Sequence, residues 1–100
     1  MSQALLETLA EQAVALLAET SVAVQKRHPQ LTAEEAFTLS ERAIEALLPN
    51  IVKTLASYRG SDVEVGVLLA DVLALPANRS RIAEQIVSTL AQALERSEAA

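Results

Sequence analysis

A chain of 100 residues with 51% apolar side chains and only 2 Gly and 3 Pro reads as one folded domain, 1–100, and is neither a linker nor a turn-rich β-protein. Zero Cys and a single His exclude disulfides, thiol nucleophiles, iron–sulfur clusters and nearly every zinc site, so no cofactor, metal or catalytic residue is expected. The net charge of −5 repels phosphate backbones and disfavours nucleic acid as a partner.

No apolar run is long enough to span a bilayer. The start, Met1-Ser2-Gln3-Ala4, lacks the basic residues and apolar stretch of a signal peptide, so the expectation is a cytoplasmic protein with no membrane contact. Aromatic residues make up only 2% of the chain. Its core must therefore be built from Leu, Ile, Val and Ala, each removing little area from water, and self-association would bury more.

Over residues 2–26, Leu5, Leu6, Leu9, Ala13, Leu16, Leu17, Ala23 and Val24 fall on one side of a helix. Glu7, Glu11, Gln12, Glu19 and Lys26 take the other side. The run Lys26-Arg27-His28-Pro29 ends this helix, because proline disfavours the helical conformation in the residue before it. Thr32-Ala33-Glu34-Glu35 then reads as a capping box that opens a second helix. Its apolar face carries Ala36, Phe37, Leu39, Ala43, Ile44, Leu47, Leu48, Ile51, Leu55 and Tyr58. Pro49 interrupts that stretch without shifting the phase of the stripe, and it shares the solvent side with Thr38, Arg42, Glu45 and Lys53. One helix kinked at Pro49 is expected, its freed Glu45 carbonyl facing water, with Gly60 as the stop.

Ser61-Asp62-Val63-Glu64 offers another capping box before a shorter helix reaching residue 75. That segment is apolar nearly all round, with only Glu64 and Asp71 as a polar stripe, the pattern of a buried helix. Gly66, Ala70 and Ala74 recur at four-residue spacing and leave a shallow seam for another helix. Pro76-Ala77-Asn78 is read as a connection, with Asn78 capping a last helix. Ile82, Ala83, Ile86, Val87, Leu90, Ala93 and Leu94 form its inner face, and the tail from Ser97 is expected to fray. The sum is an all-α fold, a small antiparallel bundle of about four helices.

Two candidate surfaces follow. The third helix has more apolar faces than one small bundle can cover, so Val63, Gly66, Val67, Ala70 and Ala74 are a candidate interface with a second copy or another protein, and the outward parts of the first helix are a second candidate. In an up-down-up-down arrangement, Lys26, Arg27 and His28 share a pole with Arg79 and Arg81. Arginines at a helix N-terminus oppose the dipole, so these two either pair internally with Glu34 and Glu35 or form a site for an anion or an acidic partner.

His28 alone is a favourable cation at a helix C-terminus. Glu34, Glu35, Glu41 and Glu45 lie toward the outside, as a solvated face, and Asp71 is expected at a rim. The functional expectation is a non-enzymatic protein–protein interaction module, an adaptor, assembly factor or regulatory subunit, working as a homo-oligomer. The alternative is a DNA-binding regulator in which the helices around residues 76–78 form a helix-turn-helix and Arg79 and Arg81 read the DNA.

Overall fold

Prolines and capping side chains set most of the helix boundaries. In the computed structural model, which describes residues 3–59 and 61–99 and their side chains except at positions 58, 59, 62, 63 and 97–99, the chain forms four helices. These are α1 (Gln3–Arg27), α2 (Ala33–Arg59), α3 (Asp62–Ala74) and α4 (Pro76–Ala99). At the end of α1 the His28 N–H still reaches the Val24 carbonyl at 2.9 Å, and Pro29 then turns the chain. The Thr32 capping box is reciprocal. The Thr32 N–H donates to Glu35 Oε1 at 3.0 Å, and the Glu35 N–H donates to Thr32 Oγ1 at 3.1 Å. At α3 the Ser61 hydroxyl accepts from the Glu64 N–H at 3.3 Å. Gly60, the expected stop of α2, lies outside the described residues.

The junction of α3 and α4 corrects the sequence reading. Residues 76–78 are not a connection and Asn78 is not a cap, because α4 starts at Pro76 itself. Proline suits the first helical position, where its missing N–H would find no partner anyway. It forces the preceding residue out of the helical region, and Leu75 sits at φ −88°, ψ 122°. One residue thus makes the corner. The Leu75 carbonyl accepts from the N–H groups of Asn78 and Arg79. At the other end α4 extends to Ala99.

Pro49 lies exposed inside one continuous α2, on the same outer face as Thr38, Arg42, Glu45 and Lys53. Helix continues there with Pro49 and Glu45, four residues apart, both exposed, so the ring does not disturb the core. Asn50 Nδ2 donates to the Ala46 carbonyl and Thr54 Oγ1 to the Asn50 carbonyl, which ties down the turns on either side. Pro49→Ala restores one backbone bond without disturbing the core. It is expected to raise stability by about 1–2 kcal/mol, read as a higher thermal midpoint; an unchanged or lower midpoint would contradict this account.

Packing follows from the apolar stripes. Leu16 and Ile44 share one buried cluster with Leu69, Leu73, Ala83 and Ile86, while Val24, Ala36 and Val87 form a second. These pairings run α1 and α2 antiparallel and bring Thr20 opposite Ser40. Both hydroxyls are fully buried and bond within their own helices, to the carbonyls of Leu16 and Ala36, each at 2.7 Å.

The all-helical bundle is as expected, but α4 does not complete an up-down-up-down path. Its start bonds to Glu19 and its Val87 meets Val24, so α4 runs beside α1 in the same sense. The cause is the length of α3. Its 13 residues span about 20 Å, enough to climb from the start of α1 only to its middle before the Leu75 corner. The molecule measures 41 × 24 × 21 Å, its long dimension set by α1 and α2.

Candidate interaction surface

The two surfaces suggested by sequence are both divided by the fold. On α3, Gly66 and Ala70 are buried against the chain's own helices, together with Val65, Leu69 and Leu73. The seam therefore closes within one chain over these residues. Val67, 47% exposed, and Ala74 point outward beside Glu64 and Asp71. The side chain of Val63 lies outside the described residues. What remains on the outside of α3 is a narrow stripe in which acidic and apolar residues alternate, and Asp71 is simply exposed.

The five basic residues are not gathered at one pole. Arg79 turns inward, its side chain 15% exposed, and its Nε donates to Glu19 Oε1 at 3.2 Å. Its Nη1 donates to Gln12 Oε1 at 3.0 Å and to the carbonyls of Leu73 and Ala74 at 2.7 and 3.2 Å. The expected pairing with Glu34 and Glu35 is replaced by pairing with Glu19, because the start of α4 faces the middle of α1 and not its end. Glu35 is engaged in its own capping box, and Glu34 is exposed.

The arginine at an unfavourable helix start is thus explained by its acceptors. Two of them are the orphan carbonyls at the end of α3, which a guanidinium satisfies. Ser80 adds a bond to Glu19 Oε2 at 3.2 Å. Arg81 stays exposed. Lys26 and Arg27 are exposed at the far end of α1, where they border a groove with Ser80, Ala83, Glu84 and Val87 of α4. His28 is half-buried, and its Nε2 meets no hydrogen-bond partner among the described residues.

The outward part of α1, the second candidate from sequence, forms a defined apolar surface. Between residues 12 and 24 the exposed positions are Val14, Ala18 and Val22, all apolar, with Val14 at 66% and Val22 at 56% exposure. Leu6 and Ala10 continue the same four-residue progression toward the N-terminus and are also exposed. Residues four apart form a ridge on a helix. This ridge parts two grooves. One, of about 560 Å³, runs between α1 and α4 and is lined by Ala18, Val22 and Ala23 beside Lys26 and Arg27. The other, of about 220 Å³, runs between α1 and α2 and is lined by Ala13, Val14, Leu17 and Leu48 beside Glu41 and Glu45.

No family model, curated protein or solved structure matches the chain. Its reading therefore rests on its own geometry. Among the described residues no set of His, Asp and Glu is placed to hold a metal ion, and no helix is long and apolar enough to cross a membrane.

The ridge was present in the sequence as Leu6, Ala10, Val14, Ala18 and Val22. Sequence pointed to the outward parts of α1 without singling out these residues, because one apolar stripe already accounted for the helix. Gln12 and Glu19 were assigned to solvent for the same reason, since nothing local shows that Arg79 recruits them.

Proposed function

We propose that this chain is a non-catalytic protein–protein interaction module of the cytoplasm, an adaptor, assembly factor or regulatory subunit, that receives a helix on the outer face of α1. The observation that carries the reading is the ridge of Val14, Ala18 and Val22, an apolar surface in the middle of a helix where solvent-facing positions normally carry polar side chains. The alternative of DNA reading loses Arg79, whose guanidinium is engaged by four acceptors inside the fold, and is left with Arg81 alone.

The test is a Val14→Lys/Val22→Lys double variant. Both positions are exposed, so folding stability should change by no more than about 0.5 kcal/mol. The unmodified chain, tagged and immobilised, is expected to retain a protein from an extract of its own cells, whether another copy or a different chain, and the variant to lose it at an unchanged melting temperature. Equal retention by both, or none by either, would remove the ridge from consideration.

A further inference from the structure

We propose that the ridge is covered by a second copy of this chain, with the two α1 helices packed antiparallel about a twofold axis at Ala18. This rests on the interaction reading above and names its partner. The ridge is symmetric about its smallest central residue. Reversing one copy places Val14 against the partner's Val22, and Ala18 against the partner's Ala18, where a methyl group lets the two backbones approach closely. A twofold interface must be self-complementary in this way.

Charge selects the antiparallel arrangement. Glu7 and Glu11 are exposed on the N-terminal half of α1. Lys26 and Arg27 stand at the other end, beside Val22, in the groove that α1 shares with α4. The acids of the α1–α4 groove are Glu84 and Glu19, and Glu19 is already held by Arg79 and Ser80. Packing the helices antiparallel sets the acidic end of each copy against the basic end of the other. Packing them parallel stacks acid on acid, which costs affinity.

Because the chain contains no cysteine, engineered thiols report the geometry directly. Four full-length single variants are compared under diamide: Ala18→Cys, Val14→Cys, Val22→Cys and, as a control on the exposed face of α4, Ser88→Cys. Ala18→Cys should form a disulfide-linked dimer at least tenfold faster than the control. Val14→Cys alone and Val22→Cys alone should be slow, since each self-pair is offset by eight residues, about 12 Å along the axis, beyond the reach of a disulfide. A mixture of the two should cross-link rapidly into the mixed dimer. Light scattering should find the unmodified chain dimeric, with Glu11→Lys or Lys26→Glu each weakening the dimer about tenfold and the two together restoring it.

A monomer at about 200 µM, or Ala18→Cys no faster than Ser88→Cys, overturns the proposal. So does Val14→Cys self-linking as fast as the mixture, the signature of parallel packing. A monomeric chain that still retains a different protein through Val14 and Val22 overturns the dimer alone. A monomer that retains nothing overturns the interaction reading too.

Discussion

Arg79→Ala is expected to destabilise the fold by about 2–4 kcal/mol, a lowering of the thermal midpoint on the order of 10–20 °C for a chain of this length. The guanidinium joins Glu19, Gln12 and the carbonyls of Leu73 and Ala74. Truncation leaves a part-buried carboxylate and two α3 carbonyls without their donor, and a group stranded in that way costs more than the net worth of an ordinary hydrogen bond. Arg79→Lys should recover only a fraction of the loss, because an ammonium is a point charge that cannot present the planar fork these acceptors require. Arg81→Ala is the internal control. It lies exposed two positions away and should change stability by no more than about 0.5 kcal/mol. If the two alanine variants melt together, the interactions of Arg79 contribute nothing to the fold.

Leu16→Ala is expected to cost about 3–5 kcal/mol, a large share of the roughly 5–15 kcal/mol that holds a domain of this kind together. Leu16 is fully buried in a cluster with Ile44 of α2, Leu69 and Leu73 of α3, and Ala83 and Ile86 of α4. One side chain thus belongs to the contact of α1 with every other helix. A core without Trp, and with a single Phe that is itself half exposed, has no large side chain able to move into the space left behind. The cavity term should therefore be near the top of its range. Urea unfolding is the measurement: the midpoint should fall with an unchanged slope. Val22→Ala, the same kind of truncation on the exposed ridge, should barely move it. A Leu16→Ala midpoint within error of the unmodified chain would mean that the core is centred elsewhere.

Legibility in the sequence tracks how local each signal is. Thr32 with Glu35, Ser61 and the position of Pro49 on the outer face of α2 act within one or two turns, and all were readable. Pro76 was misread because proline is equally at home in a loop and at the first position of a helix, and only the conformation of Leu75 separates the two. The pairing of Arg79 joins residues 60 and 67 positions apart, and nothing in local pattern encodes such a contact. Its partners also depended on the direction of α4, which was set by the short reach of α3.

Three assignments to apolar faces failed for a related reason. Leu6, Phe37 and Ala93 lie on the stripe edges of long helices, where small departures from ideal periodicity turn a side chain outward, and all three are exposed, Leu6 and Phe37 about half so. The candidate interface on α3 was overestimated because an Ala- and Gly-rich helix needs little room. Its neighbours approach closely enough to cover Gly66 and Ala70 without a second chain.

The buried hydroxyls of Thr20 and Ser40 bear on uniqueness as distinct from stability. Each is satisfied by a carbonyl of its own helix, so neither resists a sliding of α1 past α2. Aliphatic stripes tolerate such slippage by a turn. Among the described residues, the side-chain hydrogen bonds that cross between helices come from Arg79 and Ser80. The start of α4 is therefore one anchor of the bundle's axial alignment. A chain without that anchor should lose its single set of sharp methyl resonances before it loses its helical content.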